Sequence, residues 1–381
     1  MRGSIQRRGR TSWRLKYDAE PGPNGERNTR FLTVRGKRQD AERELAKLVS
    51  AVHDGVNVDP SRTTVADHLR SWLDGVHGLA GKTLERYEEF VEQKVSPFIG
   101  NIPLQKLRPA HVADWHARLL RAGGKDGRPL SARTVVSAHR VLHRGLELAL
   151  KRELITRNVA HAVDPPRVEE TEIEALKADQ VAIVLTALKG HWLEPIAIMA
   201  LSIGARRGEL LALTWETVDL VRGVATIERS LEQTRAGLSF KRPKTRSGAR
   251  RVTLPQIAIE ALTEHRRRQL EQRLRFGLGK PDVDTLVFST FDGSPIPPNN
   301  LSRDWARFVK ARKLPPITFH GLRHSHVSAL ISSRLDPLTV SRRVGHANAA
   351  TTLRLYAHLW DEADGGAANA IDAALRTSKE R

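Results

Sequence analysis

From Ser61 to Asp164 the apolar residues recur almost wholly at helical spacing, and that run limits what the chain can become. Val65, Leu69, Trp72 and Leu73 form one stripe, and Leu84, Tyr87, Val91 and Val95 a second. Val112, Trp115 and Leu119 form a third, and Val135, Leu142, Leu146 and Leu150 a fourth. Each stripe is one face of a helix that must be buried against its neighbours. The turn-rich segments SPFIGNIP and AGGKDGRP separate them. The expectation is a bundle of four or five helices with short connections, over residues 61–164. The run stops at DPPRVEETE, where two prolines and a block of charge break the period and mark a linker.

The flanking blocks read differently. In residues 1–57, SWRLKYD alternates Trp13, Leu15 and Tyr17 against Arg14 and Lys16, the period of a half-buried strand. The turn formers PGPNGE follow, then a second strand-like run, TRFLTVRG, which carries Arg30. KRQDAERELAKLVSAVHDG then sets Ala41, Leu45, Leu48, Val49 and Val52 on one helical face. Residues 173–381 are mixed: helical stripes surround GVATIERSLEQ and LSFKRPKTRSGARRVTLP, read as two or three antiparallel strands with a basic connection. The fold class expected is multidomain α+β. It comprises a small sheet with one helix, a helical domain, and a mainly α domain with a small antiparallel sheet. At 381 residues the chain exceeds one ordinary core.

Composition narrows the function. Lys and Arg number 63 against 43 Asp and Glu, a net charge of +20. Such an excess favours a polyanionic partner through counterion release, and nucleic acid leads. The first 55 residues alone hold 13 basic against 7 acidic groups. With no cysteine there is no disulfide, Cys-ligated zinc or thiol nucleophile, which suits a cytoplasmic location. No apolar run reaches the ~18 residues of a membrane span, and no apolar segment follows the basic start MRGSIQRRGR to make a secretory signal.

Four segments carry chemistry. HGLRHSH places His320, His324 and His326 close together. A metal site is one reading, since His320 and His324 are i,i+4. The motif lacks the glutamate of H-E-x-x-H, however, and the cation Arg323 intervenes. His320 and Arg323, at i,i+3, share a face suited to a phosphate. Thr318 is placed to cap that helix. In SIGARRGELLALTW, Arg206 falls at a corner between helices, with Glu209 three residues on to hold it. KRPKTRSGARRVTLP loads Lys241, Arg242, Lys244, Arg246, Arg250 and Arg251 around Ser247-Gly248, which suits contact with DNA. VGHANAATTLRLYAH holds His346 and, ten residues on, Tyr356. A free tyrosine has a pKa of about 10 and is a poor nucleophile without cationic neighbours and a base.

In order, residue type and spacing, these segments resemble the catalytic domain of the tyrosine recombinases, the phage integrase family. Arg206 and Glu209 match its G-x-R-x-x-E, Lys244 its β-hairpin lysine, His320 and Arg323 its H-x-L-R, His346 its L-G-H, and Tyr356 its nucleophile. Residues 61–164 resemble the family's core-type DNA-binding domain, and residues 1–57 its arm-type domain. Ile203 and Val344 replace the usual threonine and leucine, and Gly321 a frequent aspartate; no catalytic group is lost.

The resemblance implies a site-specific recombinase that cuts and rejoins DNA through a 3′-phosphotyrosine, integrating and excising a phage or other mobile element via a Holliday junction. It implies no metal and no cofactor. The implied partners are double-stranded attachment sites of core and arm type, a homotetramer on DNA, a host bending protein and an excision factor. Arg14, Lys16, Arg30, Arg242, Arg246 and Arg250 are the residues expected to contact DNA. After Tyr356, an apolar stripe of Ala367, Ala370, Ile371, Ala374 and Leu375 would pack on a neighbouring protomer or on its own domain. A non-catalytic DNA-binding protein, a type IB topoisomerase, a telomere resolvase and a metal-dependent nuclease are the rival readings.

Overall fold

The computed structural model describes residues 3–18, 26, 28–53, 61–169, 174–242, 248–277, 279–356, 371–372 and 375–376. The chain divides into two compact units, Met1–Glu169 and Glu170–Arg381.

In the first unit, β1 (Gly3–Gly9), β2 (Ser12–Asp18) and β3 (Thr29–Arg35) form an antiparallel sheet in that order, followed by α1 (Arg38–His53). The alternation of SWRLKYD decides which face is covered. Leu15 and Tyr17 are buried, as are Ala41 and Val52 of α1. Arg14 and Lys16 project to the opposite face. There Lys16 pairs with Phe31 and Arg14 with Thr33. Phe31 is 53% exposed, with the Arg14 guanidinium 4.2 Å from its ring centroid. Arg30, the third basic residue expected to contact DNA here, does not share that face. It lies opposite Tyr17, and cross-strand partners share a face, so Arg30 belongs to the helix-covered side. Its Nε donates to Asn28 Oδ1 at 3.1 Å.

The helical stripes fold as α2 (Val65–Asp74), α3 (Gly81–Phe90), α4 (Ser96–Ile99), α5 (Pro109–Ala122) and α6 (Ala132–Lys151). A π-helical turn, Val91–Val95, joins α3 to α4. Thr64 and Asp67 close a capping box at the start of α2. The four stripes meet in one core that includes Leu69, Trp72, Val91, Val95, Val112, Trp115, Leu119, Leu142 and Leu146. The indole of Trp115 donates to Lys94 O at 2.6 Å, satisfying a carbonyl within the π turn. A 3₁₀ turn, Val159–Ala162, follows α6.

The second unit begins with α7 (Ala178–Leu188), α8 (Glu194–Ile203) and the short α9 (Arg207–Leu210). Strands β4 (Val218–Asp219), β5 (Val224–Ile227), β6 (Ser230–Thr234), β7 (Gly237–Lys241) and β8 (Arg250–Thr253) come next. They make two sheets: β4-β5-β8 and the separate hairpin β6-β7. The basic connection therefore runs from one sheet to another.

The helices α10 (Gln256–Arg275), α11 (Pro298–Ala311), α12 (Phe319–Ser332), α13 (Pro337–Val344) and α14 (Ala349–Tyr356) complete the unit. EPIAIMALSI is apolar all round, so α8 becomes the buried axis, with α10 and α12 packed on it. A smaller apolar cluster, Val327, Ile331, Val340, Val344 and Tyr356, joins α12, α13 and α14. No described helix is long and apolar enough to cross a membrane.

Candidate active site

Two left-handed glycines build the site. α8 ends at Gly204 with φ +59°, and α13 ends at Gly345 with φ +70°. Each turns a carbonyl toward an arginine from elsewhere in the unit. Arg323 Nη1 donates to Gly204 O at 2.5 Å, and Arg206 Nη2 donates to Gly345 O at 2.9 Å. Gly204 is needed for space as well as for conformation, because a Cβ there would lie 2.4 Å from His326 Cδ2.

Arg206 is the N-cap residue of α9. Its backbone N–H donates to Glu209 Oε2 at 2.9 Å, and its Nη1 to Glu209 Oε1 at 2.8 Å. Glu209, 4% exposed, also accepts from Arg250 Nη2 at 2.9 Å. Burial alone would raise the Glu209 carboxyl. The hydrogen bonds and charges of Arg250 and Arg206 outweigh burial and hold it below the usual carboxylate range.

Arg250 itself corrects an expectation. Its side chain is 7% exposed, and its guanidinium is committed to Glu209, to Arg343 O at 2.9 Å and to Gly248 O at 3.1 Å. In this structure it serves as a buried strut.

Arg323 is 4% exposed, and burial pushes its guanidinium down to about 9, still cationic at neutral pH. Its Nη2 is a buried donor with no partner among the described residues. Three guanidiniums, Arg206, Arg250 and Arg323, thus act on the single carboxylate of Glu209. The surplus of positive charge and the unfilled donor suit an anion.

The histidines separate by role. Thr318 caps α12, accepting from Gly321 N at 3.0 Å, and so sets the orientation of the helix. His320 stands exposed at its first turn. Its pKa is lowered by loss of solvation and by Arg323, Arg206 and Arg207. The ring of His324 meets it edge-on, with centroids 4.8 Å apart. His324 Nδ1 is hydrogen-bonded to the Tyr356 hydroxyl. Burial, His320 and Arg323 lower His324 to about 4.

Tyr356, the last residue of α14, is 2% exposed, and burial raises its phenol to about 12 against the pull of Arg323. His346 places Nδ1 2.7 Å from Thr352 Oγ1 and is lowered to about 4 by burial and by Arg323, Arg206 and Arg250. His326, 6% exposed, faces the core. Its Nδ1 donates to Leu201 O at 2.7 Å, and its pKa falls to about 4 through burial.

Of the predicted residues, Arg206, Glu209, His320, Arg323, His346 and Tyr356 come together. Lys244 and Arg246 lie outside the described residues. Lys241, at the end of β7, is paired with Glu232. Arg242 is exposed. Of the C-terminal stripe only Ile371 and Leu375 are described, and both are exposed.

Sequence reading gave no role to Arg343. Its Nη2 donates to Ser202 O at 3.0 Å and Thr253 O at 3.1 Å, joining α8 to β8. Only its place in the last turn before Gly345 hinted at this. The contact of His324 with Tyr356 spans 32 residues of sequence, beyond the reach of any local motif.

The chain has relatives among known proteins. The phage integrase family profile matches residues 174–363, and that of the phage integrase N-terminal SAM-like domain matches residues 64–120. An integrase of Streptomyces ambofaciens is 32% identical over 349 residues, spanning 88% of this chain and 86% of its own. A XerC-like tyrosine recombinase of Caldanaerobacter subterraneus subsp. tengcongensis is 26% identical, spanning 84% of this chain and 86% of its own. The Tn1549 transposon integrase, in a complex with a circular intermediate DNA, superposes with a TM-score of 0.66 at 21% identity. It covers 77% of this chain and 95% of its own.

The family match and these relatives make the chain a site-specific recombinase of the tyrosine recombinase class. Within that class the chain belongs to the phage integrase family, the site-specific recombinases of phages and other mobile elements.

Proposed function

We propose that Tyr356 is the nucleophile and that the cationic pocket beside it binds the scissile phosphate. The observation that carries this is the buried Nη2 of Arg323, without a partner among the described residues, within a cluster of three guanidiniums and one carboxylate. A phosphodiester carries one negative charge, and its pentacovalent transition state carries more. A surplus of fixed positive charge therefore stabilises the transition state beyond the ground state.

Arg206 and Arg323 hold the non-bridging oxygens, and His346 adds a hydrogen bond from Nε2. The phenol oxygen attacks phosphorus, a 3′-phosphotyrosyl bond forms and the 5′-oxygen leaves, protonated by Lys244. The phenol proton passes to a neutral imidazole. His320 is the family's group for this, and His324, already bonded to the phenol oxygen, is placed to share the task.

At 2% exposure the phenol must leave its apolar seat to meet a phosphate, so cleavage is coupled to movement of α14. The 5′-hydroxyl of a partner strand then attacks the phosphotyrosine. Bond energy is kept in the covalent intermediate, so neither metal nor ATP enters the balance.

Three functional parts follow. Residues 1–57 bind arm-type sites through the open sheet face of Arg14, Lys16 and Phe31. Residues 61–164 bind core sites, and residues 173–381 carry the chemistry. Two exchanges on a homotetramer, through a Holliday junction, join the attachment sites in the bacterial cytoplasm, with a bending protein and an excision factor setting direction. The test is Tyr356→Phe on a nicked suicide substrate. It should bind DNA as the parent does and form no covalent adduct; an adduct in that variant refutes the assignment.

A further inference from the structure

Outside the active site, the helical block of the first unit carries a second cluster of chemistry-bearing side chains. His143 and Glu147 are i,i+4 on α6, hence on one face of the helix. The 3₁₀ turn Val159–Ala162 brings His161 over that face. One donor atom from each of the three lies within 4.8 Å of the others. We propose that His143, Glu147 and His161 form a binding site for zinc or a zinc-like divalent cation, which ties the turn after α6 back onto the helix.

The geometry fits the chemistry. A tetrahedral zinc with bonds of about 2.0–2.2 Å to nitrogen and oxygen separates its ligand atoms by roughly 3.3–3.5 Å. His161 Nε2 and Glu147 Oε1 are already 3.3 Å apart. All three ligand atoms lie within 4.8 Å of one another, so a modest closure brings the two remaining edges to the same length. Two imidazoles and one carboxylate leave the fourth position to water.

An ion pair between Glu147 and His161 would explain those two residues but not the convergence of His143. A supporting contact is also in place. Asn158 Nδ2 donates to Glu147 Oε1 at 2.7 Å and to His143 O at 3.1 Å. Its Oδ1 accepts from Ala160 N at 3.1 Å, at the start of the turn that carries His161. One side chain thus orients the carboxylate and fixes the turn, as supporting residues around metal ligands do.

The His161 side chain is 60% exposed, so an ion has access from solvent.

The experiment uses the untagged full-length chain, titrated with cobalt(II) and then competed with zinc(II). One equivalent of cobalt should bind with visible d–d bands, and zinc should displace it. Zinc should also raise the unfolding temperature of the helical block. His161→Ala, at an exposed position, leaves the core intact. It should weaken cobalt and zinc uptake at least tenfold and abolish the zinc-dependent rise. His143→Ala should do the same. No cobalt uptake by the parent overturns the proposal. So does uptake that is equally tight in both variants, which would place the ion on other histidines such as His320 and His324. Neither readout depends on recombination, so this proposal and the assignment of Tyr356 stand or fall separately.

Discussion

Replacing Arg250 with methionine separates two roles that a basic residue in this segment could have. A solvent-facing phosphate contact would make the variant stable and weaker on DNA. The structure implies the reverse. The Arg250 side chain is 7% exposed and donates to Glu209, Arg343 O and Gly248 O. Methionine fills much of the volume but leaves Glu209 buried with Arg206 as its remaining ion-pair partner, itself 43% exposed in its side chain. Removing one member of a buried pair costs about 3–5 kcal/mol, because the other charge stays desolvated. For a unit of this size each kcal/mol moves the midpoint by about 2–4 °C. The expected fall is therefore roughly 6–20 °C in the calorimetric transition of the second unit.

DNA affinity, measured against salt at a temperature where both proteins are folded, gives the second readout. A lost phosphate contact lowers the slope of log K against log salt by about 0.9. The slope should stay within experimental error of the parent. An unchanged midpoint with a slope reduced by about one would refute the reasoning and return Arg250 to the DNA-contacting set.

Three further outcomes follow from the same contacts. Gly204→Ala places a Cβ in a left-handed backbone and 2.4 Å from the His326 ring; strain of about 1–2 kcal/mol plus overpacking of about 1–3 should appear in urea unfolding of the second unit. Histidines 324, 326 and 346 have folded-state values near 4 against an ordinary value of 6.5, so the unfolded chain binds protons that the folded one refuses. Stability should thus be fully present above about pH 6.5 and decline as pH falls toward 4, with Glu209 adding a further loss below that; urea midpoints across this range check it. Arg14→Ala and Lys16→Ala should each lower the salt slope on arm-site DNA by about 0.9 without moving the midpoint, whereas Arg30→Ala should leave the slope unchanged.

Residue spacing alone carried much of this protein. The period-2 run SWRLKYD and the helical stripes from Val65 to Leu150 name their own buried faces, because burial must follow the backbone repeat. Arg206, Glu209, His320, Arg323, His346 and Tyr356 were expected together only through the resemblance of their motifs to a known family. What spacing could not supply was direction and partner. Arg30 and Arg14 look alike in sequence, and only the register opposite Tyr17 and Thr33 sets them on different faces.

Arg250 and Arg242 belong to one basic segment, yet the chain crosses from the β6-β7 hairpin to the β4-β5-β8 sheet between them. That crossing buries Arg250 on Glu209 and leaves Arg242 exposed. His324 reached Tyr356, Arg323 reached Gly204 and Arg206 reached Gly345 across 32, 119 and 139 residues. Local propensity acts over a few residues, while such contacts exist only once α8, α12, α13 and α14 share a core. The sequence thus determined which side chains are available for the chemistry. The tertiary structure decided which of them are struts, which donor is left unfilled, and that the tyrosine begins in an apolar seat beside His324.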